Sequence, residues 1–233
     1  MLLLRSLLYA AMFYLATVLY VIAGLLASLV SSRPTRAVVR GWGHMNHALA
    51  KHLLGITVRF DGELPREPCL IAIKHQSMLE TLEALRLPGG PVVVIKRELA
   101  DLPMFGFLTK RYGIIAVERT AGAKAVRALV SEGKKALATG RSIVIFPEGT
   151  RVPVGEAPPL GSGFAGLYRA LGLPVVPIAM DSGRLWGRGV IHRSGVVTFK
   201  IGETIPAGLK RDEIEARVHA AINLFESGPQ TGA

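Results

Sequence analysis

The residues with the clearest capacity for chemistry are His75 and Glu80, in the stretch Leu70-Ile71-Ala72-Ile73-Lys74-His75-Gln76-Ser77-Met78-Leu79-Glu80-Thr81. An imidazole titrates near neutrality, so one steadied by a carboxylate can take a proton from a hydroxyl. The apolar run before His75 is rich in branched residues and bounded by polar ones, which predicts a buried strand, and Ser77 with Glu80 predicts the start of a helix. His75 then stands at the carboxyl end of a strand, the edge where open α/β sheets bind their substrates. Ser77-x-x-Glu80 is equally a capping box that needs no chemistry. The pattern alone leaves both readings open.

Two further apolar runs end in charge. Gly113-Ile114-Ile115-Ala116-Val117-Glu118-Arg119 and Ser142-Ile143-Val144-Ile145-Phe146-Pro147-Glu148-Gly149-Thr150-Arg151 each place an arginine just past a predicted strand. If the strands are parallel, both arginines reach the edge that carries His75. The guanidinium fork binds phosphate in bidentate fashion, and Gly149 lets backbone N–H groups approach a ligand closely. Taken singly, Glu118-Arg119 and Glu148 with Arg151 also read as structural ion pairs in loops.

The elements that must position these residues alternate short apolar runs with helical stretches from Gly55 onward, the pattern of an α/β domain with a single mixed or mostly parallel sheet flanked by helices. Strands are expected at Thr57–Phe60, Leu70–Lys74, Val92–Ile95, Ile114–Val117, Ser142–Phe146, Val175–Ala179 and Val196–Ile201. Helices are expected at Ala123–Thr139, ended by Gly140, at Gly163–Leu171 and at Asp212–Phe225. No internal repeat or low-complexity linker interrupts the chain. Residues 1–54 therefore read as membrane-anchoring helices, 55–226 as the α/β domain and 227–233 as a frayed tail.

The amino-terminal segment is apolar from Leu7 to Val30 and carries no charge between Arg5 and Arg33. That is about 36 Å of helix against a hydrocarbon core of about 30 Å, long enough to span, while the same segment packed against a second helix could dip into one leaflet instead. The run is too long for the core of a cleaved signal peptide. Lys and Arg flank it mostly on its carboxyl side, which by the positive-inside rule puts the rest of the chain in the cytoplasm. From Pro34 to Leu54, Val38, Trp42, Met45, Leu49 and Leu53 recur at helical spacing opposite Arg40, His44, His47 and Lys51, which predicts an amphipathic helix at the membrane interface. His44, His47 and His52 do not share one face and have no carboxylate or thiolate near them in sequence, so they read as solvated side chains rather than metal ligands.

Composition narrows the partners. The net charge is +11, and no acidic residue precedes Asp61 while Arg5, Arg33, Arg36, Arg40, Lys51 and Arg59 are all basic. Such an end favours an anionic membrane surface. The basic residues are not interleaved with aromatics, which argues against nucleic acid. The one cysteine, Cys69, excludes an internal disulfide and reads as buried in its strand.

Phe146-Pro147-Glu148-Gly149-Thr150-Arg151, with His75-x4-Glu80, the Glu118-Arg119 block and Val176-Pro177-Ile178, resembles in order and spacing the four blocks of the glycerolipid acyltransferase family, whose best-known members are 1-acylglycerol-3-phosphate acyltransferases. The resemblance runs from about Cys69 to Met180 and extends to the amino-terminal anchor. It implies that His75 is the base that takes the acceptor's hydroxyl proton, that Glu80 orients and polarises the imidazole, and that the hydroxyl attacks an acyl thioester directly. It further implies that Arg119 and the Glu148-Gly149-Thr150-Arg151 loop hold the acceptor's glycerol phosphate, that Lys96 lies near the phosphate, and that Val176-Pro177-Ile178 shapes the acyl side of the site. The implied donor is acyl-CoA or acyl carrier protein, the acceptor a lysophospholipid at the cytoplasmic face of an inner membrane. No metal or other cofactor is implied.

Three departures from the family pattern stand in this sequence. Glu80 and Glu118 replace the commoner aspartates, and Leu160-Gly161-Ser162-Gly163 lacks the lysine that many members carry shortly before the glycine. The missing cation favours a rival acceptor without phosphate, such as lyso-ornithine lipid. A catalytically silent membrane adaptor is a rival from another class. A serine hydrolase is disfavoured, since there is no Gly-x-Ser-x-Gly elbow and Ser131-x-x-Lys134 falls in a predicted helix, where it reads as surface. A P-loop is absent.

Overall fold

The computed structural model describes residues 1–102, 105–117 and 122–226. Seven strands form one sheet: β1 (Ile56–Asp61), β2 (Leu70–Ile73), β3 (Val92–Lys96), β4 (Ile115–Val117), β5 (Ile143–Ile145), β6 (Val175–Met180) and β7 (Gly195–Ile201). Each lies within one residue of its expected bounds. Their order across the sheet is β1-β7-β6-β2-β5-β3-β4. From β6 to β4 all neighbours are parallel, while β7 runs antiparallel to β6 and parallel to β1. The sheet is mixed and mostly parallel.

Both faces of the sheet are covered, which explains why its central strands read as unbroken apolar runs. Successive residues point to opposite faces. Ile71 and Ile73 of β2 join Val93, Val144, Val176 and Ile178 in one core cluster, while Leu70 and Ala72 join Val92, Ile143, Ile145 and Val175 in the other. The second cluster is covered by α6 (Gly122–Leu137), α7 (Gly163–Leu171) and α8 (Arg211–Ile222). Cys69 is buried, as expected. The short helices α4 (Arg97–Ala100) and α5 (Phe105–Tyr112) have no counterpart in the sequence reading, because one or two turns carry too little periodicity.

The first cluster is covered by a helical hairpin and by α3 (Leu79–Ala84). The hairpin's first arm is α1 (Leu2–Val30) and its second is α2 (Ser32–Leu49), continued by a π-helical turn at Ala50–Leu54 and ended by left-handed Gly55. Extended Ser31 reverses the chain between the arms. Tyr9 Oη donates to Asn46 Oδ1 at 2.5 Å and Trp42 Nε1 to Thr17 Oγ1 at 2.9 Å, which sets the arms antiparallel.

The hairpin is fixed to the α/β domain along much of its length. Ser6 Oγ accepts from His192 N–H at 3.0 Å and Tyr9 meets the edge of Trp186 at 5.2 Å, while within the hairpin Arg5 Nε donates to Leu53 O at 2.7 Å. Gly24 lies against Leu108 of α5, where a Cβ would stand 3.1 Å from its methyl groups. From Arg5 to Gly24, about 28 Å of helix at 1.5 Å per residue therefore lies along protein. The other face of α1 is bare: Leu4 is 73% exposed, Leu15 67% and Leu29 80%.

Two expectations for α2 are corrected. Its stripe of Trp42, Met45, Leu49 and Leu53 packs on the first core cluster, so α1 and the domain cover it rather than a membrane interface. A stripe at helical spacing states that a face is buried, not by what. His47 is not a freely solvated side chain, since its Nδ1 lies 3.1 Å from the buried carboxylate of Glu83, and Arg86 contacts both. His44 and His52 are exposed, as expected.

The hairpin's approach to α3 requires Gly43, where a Cβ would meet Leu82 O at 3.2 Å and Leu85 Cβ at 3.2 Å. Gly43→Leu is expected to push α2 off α3 and destabilise the protein by about 1–3 kcal/mol through overpacking. A melting temperature equal to wild type in detergent would contradict this packing.

Candidate active site

His75 follows β2 by two residues, at the carboxyl edge of the parallel strands. Its Nδ1 lies 2.9 Å from Glu80 Oε1 and its ring stacks on Phe146, with centroids 4.2 Å apart and planes 24° apart. Phe146 ends the run of β5, so the neighbouring strand supplies the surface that sets the imidazole plane. Nε2 has no hydrogen-bond partner among the described residues, and the side chain stays 12% exposed. The arrangement leaves one ring nitrogen for a reacting group.

Glu80 is fully buried and surrounded by donors. Its Oε1 accepts from His75 Nδ1, Gln76 N–H and Ser77 N–H, the last two at 2.6 Å. Its Oε2 accepts from Ser77 Oγ at 2.7 Å and Ser182 Oγ at 3.0 Å. Ser77 Oγ also accepts from Leu79 N–H at 3.0 Å. One carboxylate thus serves both the turn that leads into α3, through Ser77 N–H, and the imidazole.

The backbone of His75 is gripped on both sides by the segment after β5. Its N–H donates to Glu148 Oε2 at 2.8 Å and its carbonyl accepts from Val152 N–H at 2.7 Å. Gly149 at φ 75° turns this segment, and Gly149 N–H bonds Phe146 O at 3.0 Å. Further on, Gly161 N–H donates to Pro147 O at 2.7 Å. The segment 160–163 that lacks a lysine therefore rests on the same loop.

The structure corrects the role implied for Glu148. Its side chain faces inward, 2.7 Å from Lys74 Nζ, and neither side chain is exposed. Burial pushes the Glu148 carboxyl up from its ordinary range, opposed first by the hydrogen bond from Lys74 and then by that from His75 N–H. A buried anion already engaged with a cation offers nothing to a phosphate. Nor does Glu148 form a loop ion pair with Arg151.

The remaining expected residues are placed as follows. Thr150 and Arg151 are exposed and Gly149 half-buried, on the loop beside His75, and the Arg151 carbonyl accepts from Arg188 at 2.8 Å. Lys96 ends β3, in register with Val117, and pairs with Glu98 at 2.8 Å on the surface. Glu118 and Arg119 lie outside the described residues. Val176, Pro177 and Ile178 are buried in the middle of β6. Four polar residues at the site are missing from the sequence reading: Lys74, Ser182, Asn223 and Glu226. Only Lys74 carries a signal, being a cation at the end of a buried apolar run, where a partner is required. The other three lie more than 100 positions from His75, beyond any local pattern.

A histidine at the carboxyl edge of a mostly parallel sheet, with one ring nitrogen on a buried carboxylate and the other without a partner among the described residues, has the geometry needed to take a proton from a hydroxyl. The acyltransferase family profile matches residues 55–181. The chain is 34% identical over 175 residues to the 1-acyl-sn-glycerol-3-phosphate acyltransferase of Pseudomonas aeruginosa, covering 74% of this chain and 68% of that protein. It is 29% identical over 177 residues to the human 1-acyl-sn-glycerol-3-phosphate acyltransferase beta, covering 72% and 63%. In fold it is similar to the 1-acyl-sn-glycerophosphate acyltransferase PlsC of Thermotoga maritima, with a TM-score of 0.78 at 18% identity over all of both chains. The chain belongs to the acyltransferase family, in the branch of the 1-acylglycerol-3-phosphate acyltransferases.

The buried pair yields a stability test. Glu148→Gln strands a buried ammonium and is expected to cost about 3–5 kcal/mol, and Lys74→Met with Glu148→Gln together to cost less than Glu148→Gln alone. Denaturant unfolding of the two single variants, Glu148→Gln and Lys74→Met, and of the double measures this, and additive losses would remove the coupling.

Proposed function

We propose that the protein transfers a fatty acyl group from acyl-CoA or acyl carrier protein to the sn-2 hydroxyl of 1-acylglycerol-3-phosphate, giving phosphatidic acid for phospholipid synthesis. The observation that carries this reading is the His75–Glu80 pair, with Nε2 left for a substrate, in a chain of this family. His75 Nε2 takes the acceptor's hydroxyl proton as the oxygen attacks the thioester carbonyl carbon. The tetrahedral intermediate then collapses with loss of the C–S bond, and the imidazolium returns the proton to the departing thiolate. Glu80 bears no proton in this scheme and stabilises the transient imidazolium through Nδ1–H. A thioester is already activated, so positioning and proton transfer suffice, and no metal or other cofactor enters the step.

Exposed Arg151 and Thr150, with Gly149, are proposed to hold the acceptor's phosphate, joined by Lys96 at the end of β3 and, on the family resemblance, by Arg119. Arginine at this loop suits a dianion that lies in a polar headgroup layer. We further propose that the bare face of α1 is embedded in the cytoplasmic leaflet of the inner membrane. With protein along its other face from Arg5 to Gly24, α1 is suited to lying in the interface rather than crossing it, and the basic surface suits anionic lipid. The same surface suits either acidic donor.

A second acceptor class is favoured by one feature. The lysine-free segment Leu160–Gly163 rests directly on the phosphate loop, which leaves a cation out beside it. An acceptor without phosphate, such as lyso-ornithine lipid, meets that requirement.

Purified protein with labelled acyl thioester and each acceptor in turn separates these readings. Transfer to lysophosphatidate that His75→Ala abolishes supports the proposal. Transfer only to lyso-ornithine lipid moves the substrate, and no transfer to either supports a silent adaptor. Arg151→Ala is expected to raise the lysophosphatidate KM about tenfold or more with kcat little changed, and an unaltered KM would take Arg151 away from the phosphate. Glu80→Gln can keep the fold, since Ser77 and Ser182 hydroxyls can turn to accept from the amide, but it removes the charge opposite His75. Its kcat is expected to fall about 100-fold or more, and activity near wild type would assign Glu80 to capping alone.

A further inference from the structure

The residues on either side of His75 are both tied to the carboxyl-terminal end of α8. Lys74 is the first residue beyond β2, and strand alternation turns its side chain away from the hairpin face toward the α8 face. There its ammonium forms an ion pair with Glu148 Oε1 at 2.7 Å and donates to Asn223 Oδ1 at 2.6 Å and to Glu156 O at 2.8 Å. Asn223 is the residue that closes α8, is 3% exposed, and also bonds back to His219 O at 2.8 Å. On the other side of His75, Gln76 Nε2 donates to Glu226 Oε1 at 2.6 Å, while Gln76 Oε1 accepts from Gly183 N–H at 3.0 Å. The second oxygen of Glu226 accepts from Gly155 N–H.

We propose that Asn223 and Glu226, acting through Lys74 and Gln76, are positioning residues of the active site, and that the turn after α8 clasps the His75 segment and the 148–156 loop together. Asn223 orients Lys74, Lys74 orients Glu148, and Glu148 holds the His75 N–H. Glu226 bridges Gln76 to Gly155 and so fixes the far end of the loop that carries Arg151. The two halves of the site approach from different strands, and the clasp sets their separation. Local sequence cannot supply this, because each half is complete in its own hydrogen bonds to neighbours only when the turn after α8 is in place. None of the four residues needs to touch substrate.

The inference rests on the transferase reading for its kinetic arm but not for its structural one. The variants are Asn223→Ala, Glu226→Ala and both together, with Asn223→Asp and Glu226→Gln as conservative forms. Val218→Ala, in the buried face of α8 and outside the clasp, is the control for lost helix packing. The double variant is expected to lose tenfold or more in kcat with the thioester KM unchanged. Asn223→Asp keeps an acceptor for Lys74 and is expected to recover most of the single-variant loss. Glu226→Gln keeps one of two bridges and is expected to fall between wild type and alanine. Val218→Ala is expected to lower the melting temperature and keep kcat.

Hydrogen–deuterium exchange of the intact protein in detergent reads the clasp without any substrate. Amides of His75, Gln76 and the 148–156 loop are expected to exchange at least tenfold faster in the double variant and at the wild-type rate in Val218→Ala. Unchanged exchange in those two segments, or a kcat that follows melting temperature alike in all variants, overturns the proposal. Faster exchange in a protein whose wild type transfers to no acceptor leaves the clasp standing and removes the transferase reading instead.

Discussion

A carboxylate with no access to water must have its acceptor sites filled from within, and Glu80 has five donors around it. The rest of the site depends on this constraint. Two donors are backbone N–H groups of the turn after His75, so the turn has one conformation. One is the imidazole, so the ring has one orientation. The two hydroxyls come from Ser77 and from Ser182 after β6, which ties the dyad to a strand the histidine does not belong to. A buried anion left with any of these unfilled would be costly. Rigidity at His75 is thus a consequence of burial, and pre-organisation follows from it.

The Lys74–Glu148 pair repeats the logic one residue earlier. Breaking a buried pair leaves an uncompensated charge, so each partner is required by the other even if the pair adds little net stability. What the pair specifies is register. It holds the loop after β5 against the residue after β2, and the Val152 N–H to His75 carbonyl bond completes the alignment. The strands themselves are parallel and adjacent, so the ladder already brings the two loops to one edge. The polar contacts then fix the last ångström.

The hairpin solves a different problem. An apolar 29-residue helix cannot face water on all sides, and here one side is covered by α2, α5 and the turn around Trp186 while the other stays bare. Polar contacts at Arg5, Ser6, Tyr9 and Thr17 fix its rotation, since each finds its partner only on the protein side. The bare apolar face therefore has a fixed orientation relative to the sheet edge that carries His75. Glu83 on α3, contacted by His47 and Arg86, carries that orientation to the helix that bears Glu80.

Much of this was legible in the chain. Seven strands, the long helices and the placement of His75 at a strand end follow from apolar periodicity, which states how deeply a face is buried, and the motif blocks point to a family because their chemistry needs those types at that spacing. Periodicity does not state what covers a face. The stripe of α2 therefore read as a membrane surface when it is a protein core, and Glu148 read as a ligand-facing acid when it is a strut. Asn223, Glu226 and Ser182 carry no local signal, because a hydrogen bond between residues 100 to 150 positions apart leaves no trace in either neighbourhood. The sequence by itself determined the elements and the His75–Glu80 pair, since both are set by interactions within a few residues. Only the tertiary structure decided which side of α1 is bare, what Glu148 holds and what braces His75, because those are settled by which surfaces meet when the sheet is closed.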